Sequence, residues 1–259
     1  MAKARRRKVS AILEIKNLDK HFGGIHVSNN VSITIEKGEM SAVIGPNGAG
    51  KTTMFNLITG AIPSDGGTVI CEGEEITHVR PEKIVKMGMV RAFQVASLFL
   101  EETVYDNVYL AGMANFEKNR KMLTNKAALP DVREHTEMIL KQIGLYGKKD
   151  LKASELSHGD QKVLDIAIAL TLKPKILLLD EPTAGMAPDE RVKMMHLLKE
   201  LHKSFDLTTV FIEHDMDMVF GIAQVIRVLV QGTLVAEGSP EEIRHNSAVI
   251  EAYLGEEVL

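Results

Sequence analysis

The chain has 259 residues, 45% of them hydrophobic and 25% charged, so it can bury the core of one large domain, with or without an inserted subdomain. A net charge of −4 gives no general reason to expect nucleic acid as a partner. The longest uncharged apolar stretches, such as residues 166–172, are far shorter than the roughly 20 residues of a membrane span, so we expect none.

The cysteine content and the N-terminal residues indicate the compartment and the targeting of the protein. The single cysteine, Cys71, excludes an internal disulfide and fits a reducing cytosol. The basic residues 1–10 are not followed by an apolar run, as they would be in a signal peptide, so we predict a flexible basic tail. Residues 11–259 are then expected to form the folded part.

The first half of the chain predicts strands, a glycine-rich turn and a helix. Residues 11–36 contain two alternating runs, at 12–15 and 31–35, that indicate strands. A third strand is predicted at 41–44 and a helix at 53–59. The same signals then predict a turn, a strand and a short helix at residues 63–67, 68–71 and 81–87.

The pattern changes to helices in the middle of the chain and returns to alternation after Pro174. Residues 97–172 are predicted to be helical, with clear helical spacing over 131–143. Later strands are predicted at 176–179, 208–212, 225–230 and 233–236, and later helices at 188–205, from 240 onward and at 247–254. Short buried strands alternating with helices predict an α/β sheet with helices on both faces, interrupted by a helical insertion at about 97–172.

A phosphate-binding loop follows the third predicted strand. Its pattern is a glycine, four residues, a second glycine, a lysine and a hydroxyl residue. The residues are Gly45, Pro46, Asn47, Gly48, Ala49, Gly50, Lys51, Thr52 and Thr53. Glycines let successive amides face phosphate oxygens, Lys51 can reach the β- and γ-phosphates, and Thr52 can ligate magnesium. The loop predicts nucleotide binding.

Two carboxylates end the apolar run 176–179. Asp180 and Glu181 would lie at the carboxyl end of a buried strand, where open α/β sheets bind ligands. Asp180 is then placed to hold magnesium and Glu181 to polarise an attacking water. His214 follows another apolar strand and can reach the γ-phosphate, although a lone histidine there is more often structural. Gln94 is a candidate site residue only because it lies at the junction between the sheet pattern and the helical insertion.

Ser157 and Gly159 precede the helical run 163–172. Ser157 with Asp160 three residues later has the form of a capping box, and taken alone an ordinary cap explains the serine. A capped helix start whose glycine exposes backbone amides is also an anion site. The two interpretations stay open at this point.

Together these residues make the chain, from about residue 13 to 255, resemble the ATP-binding subunits of ABC transporters. Residues 45–53 are similar to the Walker A motif, 176–180 to Walker B and 156–160 to the ABC signature. Glu181, Gln94 and His214 fall at the positions of the catalytic glutamate, the Q-loop glutamine and the switch histidine, and Phe22 at that of an adenine-stacking ring. The resemblance implies a P-loop NTPase sheet with an N-terminal antiparallel β subdomain and an inserted α-helical subdomain.

Three positions depart from the family pattern. His158 replaces a commoner glycine in the signature, and Asp160 stands where glutamine is usual, which adds a negative charge near the expected phosphate site. Ala187 ends the segment 184–187, known as the D-loop, at the position where many members have an aspartate.

The resemblance implies a function and a set of partners. Expected are ATP and Mg²⁺, with Thr52, Gln94 and Asp180 at the metal, Glu181, His214 and Gln94 in catalysis, and ATP held between the Walker A loop of one subunit and Ser157 and Gly159 of another. Softer similarities, at residues 22–24, 90–94, 98–107, 185–188 and 249–255, resemble importers of branched-chain amino acids, urea and related polar solutes. Permease subunits, a solute-binding protein and a peripheral place on the cytoplasmic face of the membrane, or in the cytosol when unassembled, are implied too.

Two other functions remain open from the sequence. One is a soluble ABC ATPase of assembly or repair, such as iron–sulfur cluster assembly; the DNA-repair type is disfavoured because no long coiled coil separates Gln94 from Ser157. The other is a P-loop kinase or GTPase with a chance signature, which would turn over without dimerising.

Overall fold

The structure is a computed structural model that describes residues 10–92, 98–115 and 130–254. The strands are β1 (Ala11–Phe22), β2 (Ile25–Glu36), β3 (Met40–Ile44), β4 (Gly66–Cys71), β5 (Glu74–Glu75), β6 (Met89–Ala92), β7 (Ile176–Asp180), β8 (Thr208–Ile212), β9 (Val225–Val230) and β10 (Thr233–Gly238). The helices are α1 (Lys51–Ile58), α2 (Pro81–Lys86), α3 (Val104–Asn115), α4 (Pro130–Gln142), α5 (His158–Thr171), α6 (Pro188–Ser204), α7 (Met216–Ile222), α8 (Pro240–Arg244) and α9 (Ser247–Leu254).

The strands form two sheets. The antiparallel sheet has the order β2-β1-β4-β5, and its strands come from the first third of the chain. The larger sheet has the order β10-β9-β3-β8-β7-β6; its strands are parallel except β10, which pairs antiparallel with β9. This mixed sheet with its antiparallel β subdomain confirms the α/β fold expected from the sequence.

Strands β3, β7 and β8 are buried along their whole length, which explains their continuous apolar sequences. Successive side chains of a strand point to opposite faces. Ala42 and Ile44 therefore pack into one hydrophobic core with Leu177 and Leu179, on the side of the sheet that α3, α4 and α5 help to cover. Val43 packs into a second core, together with α1 and the antiparallel sheet. The large sheet is thus covered on both faces.

The topology brings four chain segments to one edge of the sheet. Strands β3, β8, β7 and β6 are adjacent and parallel, so their carboxyl ends meet there. The residues that follow β3, β7 and β8 are the glycine-rich loop, Glu181 and the pair Glu213 and His214. The fold therefore places the glycine-rich loop, Glu181 and His214 at the edge where open α/β sheets bind ligands.

Three elements were missing from the sequence-based prediction. β6 has only four residues and contains Arg91, which interrupts its apolar run. β5 consists of two exposed glutamates, and α7 is a seven-residue helix that Asp215 caps. Within the described residues, every helix is too short or too polar to pass through a bilayer.

Candidate nucleotide-binding and catalytic site

The loop between β3 and α1 can be built only with glycine at two positions. Gly45 has φ 149°, and a Cβ there would lie 2.0 Å from the carbonyl oxygen of Leu229. Gly50 has φ 94°, and a Cβ there would lie 2.4 Å from the carbonyl oxygen of Val27. Both conformations are open to glycine and strained for other residues. The loop is therefore a close-packed turn seated against β9 and the β1–β2 hairpin.

Lys51 is folded into this loop. Its Nζ donates to the carbonyl oxygens of Gly45 at 2.6 Å and Pro46 at 2.8 Å, and the residue is only 6% exposed. Gly50 precedes α1 and has no side chain with which to cap the first amides of the helix. Thr52 is exposed at this same helix start. An ammonium group, a helix N-terminus and a hydroxyl together form an anion-binding loop.

Asp180 ends β7 and is 3% exposed. Its Oδ2 accepts a hydrogen bond from Arg91 Nη2 at 2.5 Å, while Arg91 Nη1 donates to Asn56 Oδ1 at 2.6 Å. The other oxygen, Oδ1, is buried and finds no hydrogen-bond donor among the described residues. A buried oxygen of this kind suits a cation, and Mg²⁺ prefers oxygen ligands. Asp180 and the Thr52 hydroxyl therefore fit the predicted metal ligands.

Glu181 and His214 are brought together at this edge. Oε1 of Glu181 lies 3.4 Å from Nε2 of His214, and their side chains are 22% and 42% exposed. Glu181 has φ 50°, a left-handed conformation that is uncommon for a residue with a side chain. Its amide donates to the carbonyl oxygen of Ile212 at 3.0 Å, which ties the turn after β7 to β8. A carboxylate beside an imidazole can accept and pass on a proton.

Lys162 reaches this turn from α5, and no motif in the sequence marks it as a site residue. Its Nζ donates to the carbonyl oxygen of Glu181 at 2.8 Å. Burial lowers the pKa of Lys162, and the nearby carboxylates of Glu213, Glu181 and Asp165 oppose that change. The helix that carries the signature residues is therefore bonded to the backbone of the candidate catalytic glutamate. Arg91 was missed as well, since nothing in the sequence shows its contact with Asp180.

Phe22 lies at the end of β1 with 48% of its surface exposed, so its ring is open for stacking. Lys20 Nζ is 5.4 Å from the ring centroid. On the other face of this hairpin, Asp19 Oδ2 is 2.9 Å from His26 Nε2, and Asp19 Oδ1 is 3.3 Å from His21 Nδ1. The two imidazoles stack 3.9 Å apart and 12° from parallel. Near-parallel rings cannot both direct an in-plane lone pair at one ion, so this cluster is a carboxylate shared by two histidines.

Ser157 caps α5, as the sequence predicted, but only half of the capping box forms. Its Oγ accepts from the Asp160 amide at 3.2 Å. The Asp160 carboxylate instead accepts from Lys148 Nζ at 2.5 Å. The acid expected to add a negative charge at the signature is thus paired with a lysine. Gly159 is buried beside α6, where a Cβ would lie 3.1 Å from Oε1 of Glu190.

Two further predicted positions need separate mention. Gln94 lies outside the described residues. Ala187 is the residue before α6, and its amide donates to Glu190 Oε2 at 3.2 Å. An open cleft of about 450 Å³ lies next to these elements and is lined by Lys148, Ser157, Gly159, Asp160 and Glu190 among others.

A phosphate loop, a buried aspartate with one open oxygen and a glutamate–histidine pair at the same sheet edge define a P-loop nucleotide hydrolase. The family model described as ABC transporter matches residues 28–184, and one described as branched-chain amino acid ATP-binding cassette transporter matches residues 233–258. The chain belongs to the ABC transporter family and is an ATPase of that family.

Known proteins similar to the chain support this assignment over 88% to 95% of its length. The high-affinity branched-chain amino acid transport ATP-binding protein LivG of Salmonella typhimurium is 40% identical over 250 residues, covering 95% of this chain and 98% of LivG. The solved structure of MJ1267, an ATP-binding cassette of an ABC transporter, has a TM-score of 0.84 at 33% identity and covers 94% of this chain and 99% of that chain. The dimeric structure of the cassette MJ0796 bound to ADP and Pi has a TM-score of 0.75 at 26% identity, covering 88% and 98%.

Proposed function

We propose that this protein hydrolyses ATP to drive an importer of branched-chain or related amino acids. The cargo rests on two similarities: LivG, a branched-chain amino acid transport protein, and the matching C-terminal segment 233–258. The hydrolytic role rests on one observation above all. The Glu181 carboxylate lies 3.4 Å from the His214 ring at the sheet edge onto which the phosphate loop opens.

In this mechanism the phosphate loop of residues 45–53 holds the triphosphate, with Lys51 turning from its backbone acceptors to the β- and γ-phosphates. Glu181 accepts a proton from the attacking water, and His214 orients Glu181 and donates toward the γ-phosphate. Thr52 and Asp180 would hold Mg²⁺, which supplies charge neutralisation at the phosphates. Phe22 provides a ring for adenine, and Gln94 is proposed to join the metal site.

The ATP site is proposed to be completed by a second subunit. Ser157 is exposed at the start of α5, and the adjacent cleft of about 450 Å³ is open to solvent. A helix start of this kind binds anions, so Ser157 and Gly159 would contact the γ-phosphate on the partner's loop. The solved MJ0796 cassette is a dimer bound to ADP and Pi, which supports a dimer of ATP-binding subunits here. Pairing with itself or with a related subunit would give the same geometry.

Transport itself would need membrane-embedded permease subunits and, for import, a solute-binding protein. A mostly apolar cleft of about 390 Å³, lined by Pro81, Val85, Arg91 and Ile168 among others, lies at the β6 edge of the large sheet. We assign this cleft to the permease because Arg91 lines it and also donates to Asp180. A permease segment seated there would contact a side chain bonded to the metal-binding carboxylate. The subunit would then sit on the cytoplasmic face of the membrane.

Changing Glu181 to Gln tests the mechanism. The variant should bind ATP and form a stable ATP-bound dimer, because the fold and the phosphate loop are unchanged, while the base is lost. We expect hydrolysis to fall by at least about a hundredfold. Phosphate release and size-exclusion chromatography with and without ATP measure the two effects.

The matched control is Glu200→Gln, which removes an exposed carboxylate from α6. It should hydrolyse ATP at the wild-type rate and show no ATP-trapped dimer. Normal turnover by the Glu181→Gln variant would exclude Glu181 as the base.

A further inference from the structure

A buried carboxylate that the sequence did not predict as a site residue bonds to two segments of the candidate site. Glu213 follows β8 directly, is 3% exposed and accepts four hydrogen bonds. Its Oε1 accepts from the Thr183 amide at 2.8 Å and from the Thr183 hydroxyl at 2.5 Å. Its Oε2 accepts from the amides of His214 at 2.9 Å and Asp215 at 3.4 Å. All four partners are donors, and a carboxylate with two accepting oxygens can satisfy them all.

Each oxygen of Glu213 serves a different loop. Oε1 is bonded to Thr183, two residues after Glu181, and Oε2 is bonded to the backbone at His214. Glu213 is therefore the link between the two segments that carry the glutamate–histidine pair. Because the acid is buried, these bonds are shielded from water and the loss of one acceptor leaves a buried donor unsatisfied.

Arg191 makes a second connection between the same two segments. Its Nε donates to the carbonyl oxygen of Met186 at 3.0 Å, and its Nη1 donates to Asp215 Oδ2 at 2.7 Å. The segment 182–187 is thus tied to the segment 213–215 near both of its ends. A displacement of one segment would then be carried to the other.

We propose that Glu213 is a positioning residue for ATP hydrolysis, which fixes His214 against Glu181 and couples the segment after Glu181 to the histidine loop. The inference rests on the roles proposed above for Glu181 and His214. Glu213 acts through its bonds to Thr183 and His214. If it were merely structural, its loss would lower stability and leave the chemical step alone.

The decisive variant is Glu213→Gln, which keeps the size of the side chain. Whichever way the amide turns, its NH₂ group faces the donors of one of the two segments, so that link is broken. We expect kcat to fall by at least about tenfold while KM for ATP stays within about twofold of wild type. Steady-state ATP hydrolysis gives both constants.

Glu39→Gln is the matched control. Glu39 is also a buried acid, at 9% exposure, but it precedes β3 and so lies at the amino ends of the strands, away from the candidate site. Its Oε1 accepts a hydrogen bond from Arg227 Nη1 at 2.7 Å. Its loss should lower the melting temperature of the protein and leave kcat within about twofold of wild type. A kcat loss for Glu213→Gln no larger than for Glu39→Gln, at an equal loss of melting temperature, would overturn the proposal.

Thr183 provides a test that does not depend on the folding of the glutamate variant. Thr183→Val removes only the hydroxyl donor and should lower kcat by about threefold or more, whereas Thr183→Ser retains the donor and should behave like wild type. In the Glu213→Gln background Thr183→Val should add little, because the link is already broken. Equal rates for the Val and Ser variants would contradict the proposal.

Measuring Glu181→Gln in the same assays distinguishes a failure of the positioning role from a failure of the proposed mechanism. If it is inactive while Glu213→Gln retains wild-type kcat, the positioning role alone is wrong. If it hydrolyses ATP normally, the proposed mechanism itself is wrong.

Discussion

Cys71 shows how burial decides the chemistry of one side chain. It ends β4 in the antiparallel sheet, belongs to the second hydrophobic core and has 2% of its surface exposed. Burial raises the pKa of the thiol to about 11; the neighbouring Glu72 adds to the increase and Lys175 opposes it. Because the thiolate is the reactive form, this cysteine is structural, as the apolar run around it indicates.

We expect Cys71 not to react with a maleimide or with Ellman's reagent at pH 8 in the native protein. The thiol is both shielded and protonated there, since the pH lies well below its raised pKa. Reaction should become complete within minutes in guanidinium chloride, where the thiol regains its ordinary pKa. Labelling followed by mass spectrometry measures both states. Fast labelling without denaturant would show that β4 opens readily.

In helix α5, the charge of an unusual residue of the signature is paired with a lysine from another element. Asp160, which stands where the family usually has glutamine, pairs with Lys148 from the short 3₁₀ turn Tyr146–Lys148. The side chains are 26% and 47% exposed, so the pair adds little to stability. Its effect would lie in the field at the start of α5, where an unpaired carboxylate would repel a phosphate.

Replacing Lys148 by Ala should therefore weaken the ATP-bound dimer, because in the proposed dimer Asp160 would then lie uncompensated near the partner's γ-phosphate. We expect about a two- to tenfold loss of ATP-dependent dimerisation, smaller at high salt. Asp160→Gln should dimerise like wild type, and the double variant Lys148→Ala/Asp160→Gln should recover most of the loss. Analytical ultracentrifugation of these proteins in the Glu181→Gln background gives the dissociation constants.

Lys152→Ala is the control, since Lys152 forms a comparable exposed ion pair with Glu101 at 2.9 Å. It should leave the dimer unchanged. If the double variant were as weak as Lys148→Ala alone, Lys148 would act by some route other than charge compensation.

The secondary-structure elements that could be predicted from the sequence are those with a local sequence pattern. Strands β3, β7 and β8 and the glycine-rich turn before α1 lie where the sequence predicts them, because continuous burial and glycine spacing produce recognisable sequence patterns. The contacts that connect the site produce no such pattern: Arg91 and Asp180 are 89 residues apart, and Thr183 and Glu213 are 30 apart. Such pairs depend on the order of strands in the sheet, which the residues themselves do not show.

At the scale of the whole molecule, two sites share one strand. β6 pairs with β7, whose end carries Asp180, and its own residues line the mostly apolar cleft that we assign to the permease. Arg91 belongs to both, through its bond to Asp180 and its place in the cleft lining. A single side chain therefore connects the cleft proposed for the permease with the carboxylate proposed for the metal. Coupling between the two would need no long pathway.

Replacing Val85 by Asp should separate the subunit from its permease. Val85 is half-buried on α2 at the cleft, and a charge there would have to be desolvated when an apolar partner segment docks. We expect co-purification with the permease from detergent-solubilised membranes to fall by at least about tenfold. The control is Val235→Asp, which places the same charge at an exposed valine of β10, on the opposite edge of the large sheet. Undiminished co-purification of the Val85→Asp variant, or an equal loss for Val235→Asp, would show that the permease docks elsewhere.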